Sequence, residues 1–163
     1  MVSIEDLRKI DVLDNLTDPM LENMRPLVQL QLFGDGAVIF KEGQEADLFY
    51  MLLTGKVLLE VEAAKDVTIS LESMKPGYSF GWSALVPDSL YTAYSICVEP
   101  CEVMSISGEK FRDLLEQDHS IGYRFMEAVV RILKRRLERR TDQFLKVMSR
   151  HPDIQKLLGV EEG

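Results

Sequence analysis

Side chains capable of chemistry are sparse in this chain. Its two histidines, His119 and His151, both fall in a C-terminal region of helical periodicity, so a barrel metal centre built on several histidines and a carboxylate is not expected. His119 reads as a helix cap or a surface residue. Cys97 and Cys101 lack the two-residue gap of redox and zinc pairs and read as reduced thiols on strands, in effect small core residues. A Gly-x-Ser-x-Gly elbow and a Gly-x-x-x-x-Gly-Lys phosphate loop are both absent, so no catalytic residue is expected. What remains is "GYSFGWSALV", Gly77 to Val86, which sets the only tryptophan, Trp82, between a glycine turn and the small pair Ser83 and Ala84. A buried indole contributes mainly through its area, so Trp82 either fills a space or lines one.

Holding such a stretch in place requires a packed framework, and the chain is large enough to make one. At 163 residues, 46% hydrophobic and 28% charged, it is expected to form a single domain that buries roughly two-thirds of its unfolded surface. No apolar run approaches the ~18 residues of a membrane span, and Met1 to Asp14 carries acids where a signal sequence would be basic and then apolar. A cytoplasmic protein with no membrane partner is expected. The net charge of -8 opposes general attraction to nucleic acid.

Three regions follow one another. Ser3 to Leu32 reads as short helices and a turn, with Leu7, Ile10, Leu13 and Leu16 at spacing three and a helix start at Thr17-Asp18-Pro19. From Phe33, glycines at 34, 36, 43, 55, 77 and 81 punctuate short segments such as "LFYMLL", "KVLLEVE", "VTISLE" and "CEVMSIS", which predicts an antiparallel barrel or jelly roll. From Gly108 helical spacing returns, ending in one long helix that His151-Pro152 terminates. On that helix Met126, Val130, Leu133, Leu137, Thr141, Phe144 and Met148 form one row, and Ile121, Phe125, Ala128 and Ile132 form a second. Two rows exceed the needs of one core-facing stripe. The reading is that one packs on the barrel and the other meets a second helix, as in a parallel homodimer; burial of both rows against the N-terminal helices is the alternative. Arg131, Lys134, Arg135, Arg136, Arg139 and Arg140 form a solvated basic face with Glu127, Glu138 and Asp142 in helical reach.

Three features carry a resemblance. In "GAVIFKEGQEADLFYMLLTGKVLLEV", Gly36, Ile39, Phe40, Gly43, Asp47, Phe49, Tyr50, Gly55 and Val57 alternate glycine turns with short strands; "KRRL" with Arg140 and Thr141 lies on the long helix; and "GWSALVPDSLYTA" spans Gly81 to Ala93. Over about residues 10 to 148 this resembles the cyclic nucleotide-binding domain superfamily, in particular the sensor half of bacterial regulators of the cyclic-AMP receptor (CRP/FNR) type. The resemblance implies a mainly β fold with flanking α: an antiparallel jelly roll (double-stranded β-helix) with N-terminal helices and a long C-terminal dimerisation helix. It places the domain at 1–150, with the barrel at about 30–107, the long helix at about 120–149, and a tail at 151–163. In that tail Ile154, Leu157 and Leu158 have helical spacing. About 15 residues follow Met148, too few for a DNA-reading fold, so no direct DNA binding is expected.

In the family the cassette runs Gly-Glu-x-Ala-Leu and then Arg-x-Ala. Here Gly81, Ala84, Leu85 and Ala93 stand in place, while Trp82 replaces the ribose-binding glutamate and Tyr91 the phosphate-binding arginine. No lysine or arginine lies between Lys75 and Lys110. The ligand-contact candidates are Gly81, Trp82, Ser83, Ala84, Leu85, Tyr91, Thr92, Ala93 and Thr141. The implied role is a stand-alone regulatory or sensor domain that signals through its long helix, with weak or no ordinary cyclic-AMP binding. Other readings stay open: an aromatic-lined pocket for a planar ligand, with Tyr91, Tyr94, Ser83 and Thr141 as its polar groups; a weak nucleotide site on backbone N–H groups of Gly81 to Leu85; or a ligand-free dimeric scaffold serving a partner protein.

Overall fold

The computed structural model describes residues 1–157 and 159; Leu158, assigned above to the tail, lies outside the described residues. Backbone packing divides the chain into two units, Met1–Ala128 and Val129–Gly163, with the division inside the long helix.

The first unit opens with helix α1 (Ile4–Arg8), where Ser3 Oγ accepts from Asp6 N at 3.1 Å and Asp6 Oδ2 accepts from Ser3 N at 3.2 Å. This reciprocal capping box satisfies two donors a helix start would otherwise leave open. Helix α2 (Asp18–Met24) starts at Thr17 with Pro19 in its first turn, and Asp18 pairs with Arg8. Leu7, Ile10, Val12, Leu13, Leu16, Leu21 and Met24 are all buried.

Eight strands follow: β1 (Val28–Phe33), β2 (Val38–Phe40), β3 (Leu48–Thr54), β4 (Val57–Ala64), β5 (Val67–Met74), β6 (Ser79–Phe80), β7 (Tyr94–Cys97) and β8 (Cys101–Ser107). They form two four-stranded sheets, ordered β1-β8-β3-β6 and β2-β7-β4-β5, with antiparallel pairing throughout. This is the expected jelly roll. Two strands differ from the sequence reading. Val28–Leu32, expected within the helical lead-in, joins Phe33 in a strand in full register with β8 from Val28↔Ile106 to Phe33↔Cys101, and Ser79–Phe80 adds a two-residue strand against β3. Between the sheets lie Phe40, Tyr50, Leu52, Val57, Met74, Phe80, Tyr91, Cys97, Cys101 and Val103, all buried. The barrel interior is packed with the chain's own side chains.

Helix α3 (Gly108–Gln117) and helix α4 (His119–Ser149) complete the first unit and continue into the second. Asp118 Oδ1 caps α4 by accepting from Ser120 N at 3.0 Å and Ile121 N at 3.1 Å; His119 is exposed and takes no part in that cap. Ile121, Phe125 and Ala128 of the second row are fully buried. In the second unit, Val130, Leu133, Leu137, Phe144 and Met148 of the first row are exposed, Leu137 by 68% and Phe144 by 61%. Helix α5 (Pro152–Leu157) follows.

Candidate functional site

Gly81 sets the geometry of the cassette. Its φ of 72° is left-handed, and a Cβ there would stand 2.9 Å from Tyr50 Cδ2, 3.1 Å from Leu48 O and 3.5 Å from Tyr91 Cε1. Only glycine meets both demands. Beyond it Trp82–Leu85 makes a single 3₁₀ turn, with Ala84 N donating to Gly81 O at 3.1 Å and Val86 N to Ser83 O at 3.0 Å. Ala84 is buried, Trp82, Ser83 and Leu85 are half-buried, Thr92 is exposed, and Ala93 is buried.

Tyr91 turns into the barrel. Its ring stacks on Phe40 with centroids 3.8 Å apart and planes 12° off parallel. Its hydroxyl donates to Leu48 O at 2.6 Å and accepts from Leu48 N at 3.1 Å. A phenol has a single proton to donate. That of Tyr91 is committed to the Leu48 carbonyl, so the side chain has no donor left for a ligand. Burial pushes the Tyr91 and Tyr50 hydroxyls up from their ordinary range, and the nearby Asp47 carboxylate adds to both shifts. A negative charge next to the cradle opposes a phosphodiester as well.

Trp82 turns the other way. Its indole meets Phe49 edge-on, 5.1 Å between centroids at 71°, and its Nε1–H donates to Ser79 O at 3.0 Å. Phe49 in turn stacks at 6.2 Å on Phe111 of α3 and meets Phe125 of α4 edge-on at 6.3 Å. Alternation along β3 explains the split, because Phe49 and Tyr50 point to opposite faces of one strand. Trp82 thus packs on the helix side and Tyr91 in the barrel interior. Tyr94 is half-buried at the start of β7. Thr141 belongs to the second unit and is exposed there.

Sequence reasoning missed Phe40, Tyr50 and Leu48, which hold Tyr91, and Gly108 and Arg112, which meet the cassette from α3. Arg112 Nη1 donates to Ala84 O at 2.7 Å. Beside this contact a cavity of about 250 Å³ is lined by Glu45, Asp47, Asp88, Glu109 and Arg112 among others. Four carboxylates around one engaged guanidinium make it unsuited to a phosphate. Within the interior, burial and the adjacent Cys101 push the Cys97 thiol up to about 12, so Cys97 stays a protonated core residue. Among the described residues no cluster of metal-ligating side chains occurs, and no helix is long and apolar enough to cross a membrane.

The two-sheet barrel with a glycine-led cassette and a long C-terminal helix defines a class, and comparison with known proteins names it. The model of the cyclic nucleotide-binding domain matches residues 30–118, and the chain belongs to that family. Over 115 residues it is 27% identical to the cGMP-dependent protein kinase egl-4 of Caenorhabditis briggsae, covering 69% of this chain and 15% of the kinase. The chain thus spans only a small part of the curated relatives it matches. A Geobacter metallireducens GS-15 protein named for cyclic nucleotide binding is 31% identical, with a TM-score of 0.73 over 84% of this chain and 99% of that one. The Thermus thermophilus catabolite activator protein shares the fold at 23% identity, with a TM-score of 0.71 over 85% of this chain and 63% of that one.

Proposed function

We propose that this domain is a regulatory module of the cyclic nucleotide-binding fold whose cradle is closed by its own Tyr91, and that it acts as a dimer whose state is passed along helix α4. The observation that carries this reading is the Tyr91 hydroxyl, clamped on both backbone groups of Leu48 beneath a ring stacked on Phe40. A cyclic nucleotide entering in the family's manner would have to break those bonds and unstack the ring. It would gain no charged anchor in return, since tryptophan and tyrosine occupy the positions of the glutamate and arginine. Two lost charge-assisted hydrogen bonds of ~1.5–3 kcal/mol each weaken binding by roughly two to four orders of magnitude.

The packed interior favours a ligand-free interaction module over a sensor of planar compounds. Tyr91, Phe40, Tyr50 and Phe80 already occupy the space such a ligand would use. Dimerisation is supported by the exposed row from Val130 to Met148, an apolar face too continuous to suit water. Two free, buried cysteines support a cytoplasmic setting.

Calorimetric titration with cyclic AMP and cyclic GMP tests the closed cradle. Against a micromolar reference, the lost anchors place the dissociation constant at roughly 0.1–10 mM, so neither nucleotide should saturate the protein below about 100 µM. Saturation at low micromolar concentration would overturn the reading.

A further inference from the structure

We infer that the cassette is latched onto helix α3 by Arg112, Gly108 and Trp82, so that its position is fixed in the free protein; the inference rests on the closed-cradle reading above. The Trp82–Leu85 turn is tied at both ends. At its far end the Ala84 carbonyl accepts the Arg112 guanidinium at 2.7 Å, a charge-assisted bond stronger than a neutral one. Gly108, the first residue of α3, lets that carbonyl come close: a Cβ there would stand 2.0 Å from Ala84 O and 2.8 Å from Ala84 C. Any side chain at 108 would push the turn away from the helix. At its near end the Trp82 ring leans on Phe49, which reaches Phe111 and Phe125, themselves edge-to-face at 4.7 Å. The indole N–H is held by Ser79 O, which stops the ring from swinging.

These contacts all face the helices. The residue at position 82, which in the family's pattern reaches for a sugar, here grips α3 and the start of α4 through an aromatic chain. Cassette and helices therefore move as one body, with no nucleotide needed to join them. Coupling of this kind is reciprocal. A partner that displaces α3 loosens the cassette, and a cassette that is loosened frees α3.

Hydrogen–deuterium exchange on the full chain reads the latch directly. In the wild type, amides of residues 81–93 should exchange at the same rate with and without about 10 µM cyclic AMP, a concentration well below the expected dissociation constant. Arg112→Ala and Gly108→Ala should each speed exchange in 81–93 by roughly tenfold or more, with a parallel rise over residues 108–125 and none in β4 and β5; Arg112→Lys should fall between them and the wild type. The β4 and β5 amides report whether each variant is folded, and Arg112→Lys supplies the result if Gly108→Ala is not. If Arg112→Ala and Arg112→Lys both leave 81–93 as protected as in the wild type, the latch is wrong while the closed cradle stands. A change in wild-type exchange on adding cyclic AMP would contradict the closed cradle and the latch together.

Discussion

A single phenol oxygen does most of the closing. The Tyr91 hydroxyl holds Leu48 N and Leu48 O at once, completing a strand end in β3 that would otherwise carry an unpaired donor and acceptor. Tyr91→Phe keeps the ring on Phe40 and removes only this function. Leaving part-buried backbone groups unsatisfied costs about 1–3 kcal/mol, so urea denaturation should show a stability loss of that size with nucleotide binding still absent. A loss below ~0.5 kcal/mol would mean the clamp is incidental. Trp82 and Tyr91 stand out in the sequence against the pattern of the family it resembles, but the directions of the two rings do not. Eight residues of turn and loop separate them, and no periodicity governs which way each faces. Nor did anything near Arg112 or Gly108 mark them as cassette partners, because their relation to Ala84 arises only when α3 packs against the turn.

Helix α4 shows what periodicity can and cannot give. Its two rows were readable because a 3.6-residue repeat fixes faces regardless of context, and the buried row Ile121, Phe125 and Ala128 and the exposed row both fall where that repeat puts them. The exposed row steps by four, three and four from Met126 to Leu137, and again from Leu137 to Met148. An eleven-residue repeat lies close to the natural helical pitch and pairs helices with little, right-handed supercoiling. A dimer built on it should depend on Leu137, midway along the row. Sedimentation should find the wild type dimeric at about 10 µM, and Leu137→Asp, which places a charge in an apolar seam, should weaken association at least 100-fold. A wild type that stays monomeric at high micromolar concentration would remove the dimer from the account. Strands were less legible than this helix. Val28–Leu32 comes just after Pro26 and a helix, which favours the lead-in, although "VQLQLF" alternates as a strand should. Ser79–Phe80 is too short for any pattern to register.

At the scale of the whole molecule, charge is divided along the chain. Residues 1–128 hold 22 acids and 10 bases, while residues 129–163 hold 5 acids and 9 bases. The barrel unit is thus the acidic part, and Glu45, Asp47, Asp88 and Glu109 concentrate that sign beside the cassette. A phosphate approaching it meets repulsion at long range before it meets Tyr91 at short range. Fold class and element order were readable because glycine turns, strand alternation and helical rows agree with one another over most of the chain. The site was readable only as a departure, since what replaced the anchors depends on packing between residues far apart in sequence. A crystal of the full chain equilibrated with about 10 µM cyclic AMP, well below the expected dissociation constant, is the decisive test of the closed cradle. The account expects the Tyr91 ring to remain on Phe40 with its hydroxyl on Leu48 and no nucleotide density inside the barrel; a cyclic nucleotide seated between the sheets, with Tyr91 swung out, would contradict it.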